Sequence, residues 1–500
     1  MKKSRLYIFL SIILITITLL PLFILCQYNH PQHFDNYRTY EYYQENGFTH
    51  DMHTFFSPGT RFVSVIYNQL LRLPISLDVN DINLLLTVFR LSSMFIILFF
   101  SISLFFLCFV LNKFLVRAAY SKLFILYSVL LFVIINSLPR IDFFFYEMVM
   151  VCYTLGINLF FIYLGLIIIY YHKKDILSLF FSCIVLFFLC GTIEYFTVLA
   201  GYSAFIYLCV YFLKKRSLDV FVLFHLIYCL VVFYLFATAH GTYDKISIYS
   251  GGVQNIYTFQ RFFVWFINVT RELYNAGSFV LQRKILPFII LIFVLLKNNI
   301  NNYGKKIVFF LILNYLVSYV MAAFIFISGI TSLDVLPNTM QIPYILMVIN
   351  TILLILYFLS HLYRYSKIVF EYKNIDILSI FNSFNRVSVS LLLFLILFAG
   401  IFDRGLPIRQ AWKDVLRGTA KKYNQEVLLI YEKIKNTHTD TVIVNETVNL
   451  PLTLTKNSYM SNLWSTHGAY PYQKEFFENE GAVARFFGKK NIIIKGTENE

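Results

Sequence analysis

The chain has 500 residues, of which 58% are hydrophobic and only 14% charged, and 55 Phe and 37 Tyr supply most of its aromatic bulk. That composition excludes an ordinary water-soluble domain. The formal charge of +15 would suit a nucleic-acid partner, but the placement of the cations set out below excludes that reading.

Apolar runs of roughly 16 to 22 residues recur along the chain, each about long enough to cross a hydrocarbon core of about 30 Å as a helix. They predict eleven spans: Leu6 to Cys26, Leu91 to Leu111, Leu123 to Leu138, Met148 to Tyr171, Ile176 to Cys190, Tyr195 to Leu213, Val220 to Ala237, Ser278 to Leu296, Ile307 to Ser328, Ile342 to Leu362 and Val387 to Phe402. The first run follows Lys2, Lys3 and Arg5 as a signal peptide would, but no small-residue cleavage site follows it, so it is expected to stay as an anchor. Between Thr258 and Leu296 the pattern weakens, with an interfacial helix at about Phe262 to Tyr274 ahead of a short span. From Asp403 the chain turns polar. Ile408 to Ile434 has helical spacing, Thr441 to Val444 and Asn491 to Ile494 are β-branched runs, and Gln473 to Phe487 is helical again. The expected architecture is an all-α polytopic membrane protein, residues 1–402, with a first outer loop at 27–90 and a small C-terminal α/β domain at 403–500.

Taking the N-terminus as cytoplasmic, alternate loops carry Lys2, Lys3, Arg5, Lys113, Arg117, Lys122, Lys173, Lys174, Lys214, Lys215, Arg216, Lys297, Lys305, Lys306, Arg364, Lys367, Lys373 and Arg386. Only Asp175, Asp219, Glu371 and Asp376 oppose them, and the rest of the chain is nearly neutral. The basic balance therefore reports positive-inside topology and puts the first loop and the tail outside. All seven cysteines lie in or beside apolar spans, where a small buried hydrophobe is the expected role.

Chemistry that needs polar groups is therefore sought in the outer segments. His33 to Phe62 gathers Asp35, Arg38, Glu41, Glu45, Asp51 and Arg61. On a helix Asp35, Arg38 and Glu45 share a face while Glu41 points away. A carboxylate there can take a proton and a guanidinium can hold a phosphate; a solvated loop of ordinary surface charge is the plainer reading. Glu147 and Glu194 stand at the outer ends of apolar helices, where a carboxylate must be wet, paired or useful. Arg140 and Asp142 precede Glu147, and as a surface pair they would be worth little. His50 and His53 lack a third metal ligand.

Several short stretches carry a resemblance: Asp35-Asn36-Tyr37, Gly59-Thr60-Arg61-Phe62, Tyr153-Thr154-Leu155-Gly156, Gly191-Thr192-Ile193-Glu194, and in the tail Trp464 with Val483-Ala484-Arg485-Phe486-Phe487-Gly488. With the overall layout, they resemble multi-spanning GT-C type glycosyltransferases, and more narrowly the serotype-converting O-antigen glucosyltransferases of phages and enteric bacteria. The resemblance implies a GT-C-like fold and transfer of a hexose, glucose in the family, from a polyprenyl-phosphate carrier to the O-antigen of lipopolysaccharide at the periplasmic face of the inner membrane. It also implies two partners, a carrier-lipid flippase and a glycosyltransferase that loads the carrier. Relatives carry an acidic pair where Asn36 stands second here, which shifts weight to Asp35 as base with Glu41 or Glu45 beside it. Arg38, Arg61 and Arg140 would hold the donor phosphate, and Glu147, Glu194 and Trp464 are further site candidates. No metal or other cofactor is required, and a divalent cation is not indicated. Two alternatives stand beside this one: an O-antigen polymerase, expected to carry its large loops between middle spans, and a lipid-linked sugar flippase or transporter, expected to carry charges near mid-membrane.

Overall fold

This computed structural model describes residues 2–31, 82–137, 144–145, 150–238, 406–445, 448, 451, 453–454 and 482–494, with isolated helical residues between 263 and 361. Numbering the described elements in order, seven apolar helices come first: α1 (Lys2–Cys26), α2 (Ile82–Leu111), α3 (Tyr120–Ser137), α4 (Leu155–Lys173), α5 (Ile176–Cys190), α6 (Glu194–Lys215) and α7 (Val220–Thr238). A π-helical turn, Asn112–Val116, ends α2, and another, Met150–Thr154, opens α4. Helices α8 (Pro407–Leu416) and α9 (Thr419–Asn436), strand β1 (Thr441–Val444), helix α10 (Ala482–Phe486) and strand β2 (Asn491–Ile494) complete the order. The first seven predicted spans fall on helices. The last four lie outside the described residues apart from isolated helical positions, and the described positions of the Phe262 to Tyr274 stretch are helical.

Among the described residues, four helices are long and apolar enough to cross a membrane: Ser4–Cys26, Ile82–Phe114, Leu155–Lys173 and Glu194–Lys215. Three shorter apolar helices, Tyr120–Asn136, Ile176–Cys190 and Val220–Phe236, stand beside them. The outward faces are as greasy as the core. On α2, Phe89, Ile96, Phe100 and Leu104 are buried, while Leu91 (59% exposed), Phe95, Leu98 and Ile102 form an exposed stripe at helical spacing. On α7, Phe221, Phe224 (62% exposed), Ile227 and Leu230 do the same. Apolar contact all round is the signature of a helix solvated by lipid rather than water.

Lipid tails are as apolar as Leu, so shape and polar bonds hold such helices together. Gly156 shows the first of these. A Cβ built there would collide with the Phe196 ring of α6, so only hydrogen lets α4 and α6 approach. Tyr153-Thr154-Leu155-Gly156 thus has a packing role. The Gly191 to Ile193 stretch is a tight buried turn joining α5 to α6.

The tail is keyed into the bundle by two long-range bonds. Pro21 lies inside α1 and has no N–H, so the Ile17 carbonyl four residues earlier loses its helical donor. The Trp412 indole Nε1 of α8 donates to that oxygen at 2.9 Å. Leu406 gives α8 no side-chain cap and Pro407 needs none; Asn136 Oδ1, at the end of α3, accepts from the Ile408 N–H at 3.2 Å instead. Helix α8 therefore lies across α1 and α3. Beyond it, α9 buries Ala420, Tyr423, Val427, Ile430, Tyr431 and Ile434, a stripe at period 3.6. Buried Asp414 ties this corner together, accepting from Thr453 N at 2.8 Å, Thr453 Oγ1 at 2.6 Å and Thr419 Oγ1 at 2.9 Å.

Strands β1 and β2 pair in parallel, Thr441 opposite Asn491 through Val444 opposite Ile494. Val442, Val444 and Ile492 turn inward. The Val483 to Gly488 stretch forms α10 and its left-handed exit at Gly488 (φ 64°), with Val483 and Ala484 buried and Phe487 packed 5.7 Å from Tyr431. Its contribution is the module's core.

The Trp412 bond is testable by a cycle. Trp412→Phe should cost about 1 to 2 kcal/mol in thermal unfolding of the solubilised protein. In a Pro21→Ala background, where the substituted alanine supplies the missing N–H donor, the same change should cost less; equal costs in both backgrounds would remove the bond from the account.

Candidate functional site

Helix α2 is already formed at Ile82, ahead of the apolar run predicted from Leu91, and so takes in Arg90. Its 30 residues span about 45 Å, some 15 Å more than a hydrocarbon core. The surplus turns stand at the end where α1 finishes and α9 packs. There, five polar residues from three distant parts of the chain meet.

Asn29, fully buried just past α1, donates through Nδ2 to Ser93 Oγ at 3.2 Å and to the Phe145 carbonyl at 2.9 Å. Its Oδ1 accepts from the His30 N–H at 3.1 Å. Arg90 Nε donates to the Asn29 carbonyl at 3.3 Å, and Arg90 Nη2 donates to Asn424 Oδ1 of α9 at 2.7 Å. His30 Nε2 lies 2.9 Å from that same Asn424 oxygen. The rings of Tyr423 and Tyr431 close over His30 at 5.5 and 5.7 Å.

The proton positions follow by elimination. A guanidinium only donates, so Asn424 must turn its oxygen toward Arg90. That oxygen only accepts, so His30 carries its hydrogen on Nε2 and presents a bare lone pair at Nδ1. Nδ1 is buried and has no hydrogen-bond partner among the described residues. Burial, reinforced by the Arg90 charge and opposed by the Asn424 bond, pushes the imidazole down to about 3 from its ordinary 6.5. Burial therefore keeps the imidazole neutral at pH 7, and through its Nε2 bond His30 positions the Asn424 amide.

Arg90 is different. It is half-buried, its partners are neutral oxygens, and no carboxylate pairs with it among the described residues. A guanidinium so placed retains donors for an anion.

Asp35, Glu41, Glu45, Arg38, Arg61, Arg140, Glu147 and Trp464 lie outside the described residues, so the structure neither gathers nor separates them. Glu194 opens α6, half-buried in its first turn, where a carboxylate complements the helix dipole. By the alternation of short connections it stands at the same end as Asn29, His30 and Arg90. Asp35 follows His30 by five residues, and Arg90 closes the same loop from the other side. Sequence reasoning missed this cluster; the available signal was an arginine interrupting the run Ile82 to Met94. Among the described residues no three His, Cys, Asp or Glu side chains converge as a metal site would need.

No family model matches the chain, and no curated protein or solved structure does either.

The His30 environment predicts a pH dependence. Between about 3 and 6.5 the folded chain binds fewer protons at this site than the unfolded chain. Stability should then fall as pH drops below about 6.5, by up to about 1.4 kcal/mol per unit, and be unaffected above it. Unfolding midpoints of wild type and His30→Gln measured across this window should diverge toward acid; parallel curves would contradict the buried neutral imidazole.

Proposed function

We propose that the protein is a GT-C-like glycosyltransferase of about eleven transmembrane helices, with the N-terminus cytoplasmic and the C-terminal domain periplasmic, that moves a hexose, glucose by resemblance, from a polyprenyl-phosphate carrier to O-antigen. The observation that supports this reading best is Arg90, a half-buried cation with no carboxylate partner among the described residues, fixed where the first loop leaves and rejoins the bundle and where the tail helix α9 lands.

In this mechanism the acceptor hydroxyl attacks the anomeric carbon of the donor sugar. Asp35, with Glu41 or Glu45 next to it, takes the hydroxyl proton as the new glycosidic bond forms. The bond between the anomeric carbon and the phosphate oxygen breaks, and the polyprenyl phosphate departs with the electron pair. Arg90, joined by Arg38, Arg61 and Arg140, meets the growing negative charge on that phosphate. Because Arg90 lies about 12 Å along α2 from Ile82, near the end where the helix outruns a hydrocarbon core, a phosphate at the lipid headgroup level can reach it while the isoprenoid tail stays among the exposed apolar stripes. His30 and Asn424 hold the guanidinium in one orientation.

The test is sugar transfer in vesicles supplied with polyprenyl-phosphate glucose and an O-antigen acceptor. Asp35→Ala should lower turnover by about 100-fold or more, the usual worth of a general base, and Arg90→Gln should also lower it with membrane insertion unchanged. Full activity of both Asp35→Ala and Glu41→Ala would remove the first loop from the chemistry.

A further inference from the structure

The opposite end of the bundle holds a different arrangement, and nothing in the proposed transfer uses it. Three helix exits there adopt the left-handed conformation that glycine normally supplies, yet each is a cation: Arg117 after the π-turn of α2 (φ 54°), Lys174 after α4 (φ 55°) and Arg216 after α6 (φ 56°). A side chain in that conformation costs roughly 1 to 2 kcal/mol over glycine. Positive charge at a helix C-terminus offsets part of this through the macrodipole, but a cation one residue away would do so without strain.

Lys174 is already engaged, paired with buried Asp219 at 2.5 Å and bonded to Tyr207 Oη at 2.7 Å, with the Tyr211 ring 4.1 Å from its ammonium. Asp175, the other acid among the described residues at this end, caps α5 through Leu177 N, Ser178 N and Ser178 Oγ. Arg117 has no such partner among the described residues. Its turn is nevertheless braced by a clasp, with Asn112 Nδ2 donating to the Ala118 carbonyl at 3.0 Å and Ala118 N donating to Asn112 Oδ1 at 2.9 Å. Buried Asn112 thus holds Arg117 out on a fixed exit.

An aromatic shelf links that exit to the ends of α4 and α6. Phe114 stacks on His172 at 4.9 Å, and His172 meets Tyr171 edge-on at 5.1 Å. Lys113 sits 5.8 Å from the Phe114 ring and Lys214 sits 5.6 Å from Tyr171. Lys113, Arg117, His172 and Lys214 are all exposed.

We propose that Arg117, Lys113 and Lys214, around the Phe114, His172 and Tyr171 shelf, form a binding site for the phosphate of an anionic phospholipid headgroup. Three cations from two helix ends surround one phosphate, the shelf seats the glycerol region, and the flanking apolar stripes receive the acyl chains. The clasp at Ala118 orients the guanidinium in advance, which limits the entropy lost on binding.

Native mass spectrometry of the full-length solubilised protein, titrated with phosphatidylglycerol, phosphatidylcholine or inorganic phosphate, tests this. Phosphatidylglycerol should bind in preference to phosphatidylcholine, and Arg117→Gly with Lys214→Gln should weaken it about 30-fold, since glycine keeps the left-handed exit while removing charge. If the double variant does not fold, Lys214→Gln alone carries the test at about fivefold. Lys421→Gln with Lys422→Gln on α9 should change nothing. Equal retention of both lipids, or wild-type affinity in the variants, would overturn the site. Displacement of phosphatidylglycerol by inorganic phosphate would overturn the headgroup assignment in favour of a soluble anion.

Discussion

The bond from Arg90 to Asn424 is the contact on which the rest of the arrangement depends. It joins a helix near the start of the chain to one near its end, and His30 donates to the same oxygen. Through Asn29 the network continues to Ser93 of α2 and to Phe145 before α4. A single amide oxygen therefore fixes where the first loop is anchored, how Arg90 is aimed and where the tail lands. Buried polar networks of this kind are costly if half-made and specifying if complete. Among the described residues one atom of this network is left over, His30 Nδ1, just before the first loop.

The same economy runs through the bundle. Where water drives no helix together, close approach at Gly156 and single donated hydrogen bonds decide who packs with whom. Pro21 opens a gap in the α1 ladder and Trp412 closes it from 395 residues away. Asn136 similarly caps a helix that is not its own. The tail is consequently part of the bundle's folding problem, because its first helix completes backbone groups that α1 and α3 leave unmet.

What could be read from the sequence follows from how local the determining forces are. Helix α5 runs from Ile176 to Cys190 as expected because Asp175 caps it and a tight turn ends it. Both strands fall where β-branched runs announce them. The run of α2 back through Arg90 to Ile82 was hidden because Arg90 breaks the hydropathy pattern, and hydropathy does not register a guanidinium held by a carbonyl and an amide from elsewhere. His30 and Asn424 carry no motif at all; their meaning arises only from a contact across most of the chain. Of the residues singled out for chemistry, Glu194 alone falls within the described residues, at the predicted turn. The Tyr153 to Gly156 and Val483 to Gly488 stretches have packing roles there.

The two ends of the bundle thus differ in kind: one gathers neutral amides, an imidazole and an arginine with no carboxylate partner among the described residues, and the other displays cations on strained exits. In the proposed topology the first faces the outside and the second the cytoplasm. Labelling intact cells with a membrane-impermeant maleimide, in a cysteine-free background, tests that assignment directly. Asp35→Cys and Lys421→Cys should label from outside while Arg117→Cys and Arg216→Cys should not. Labelling of Lys421→Cys together with Arg117→Cys, or of Asp35→Cys without Lys421→Cys, would contradict it.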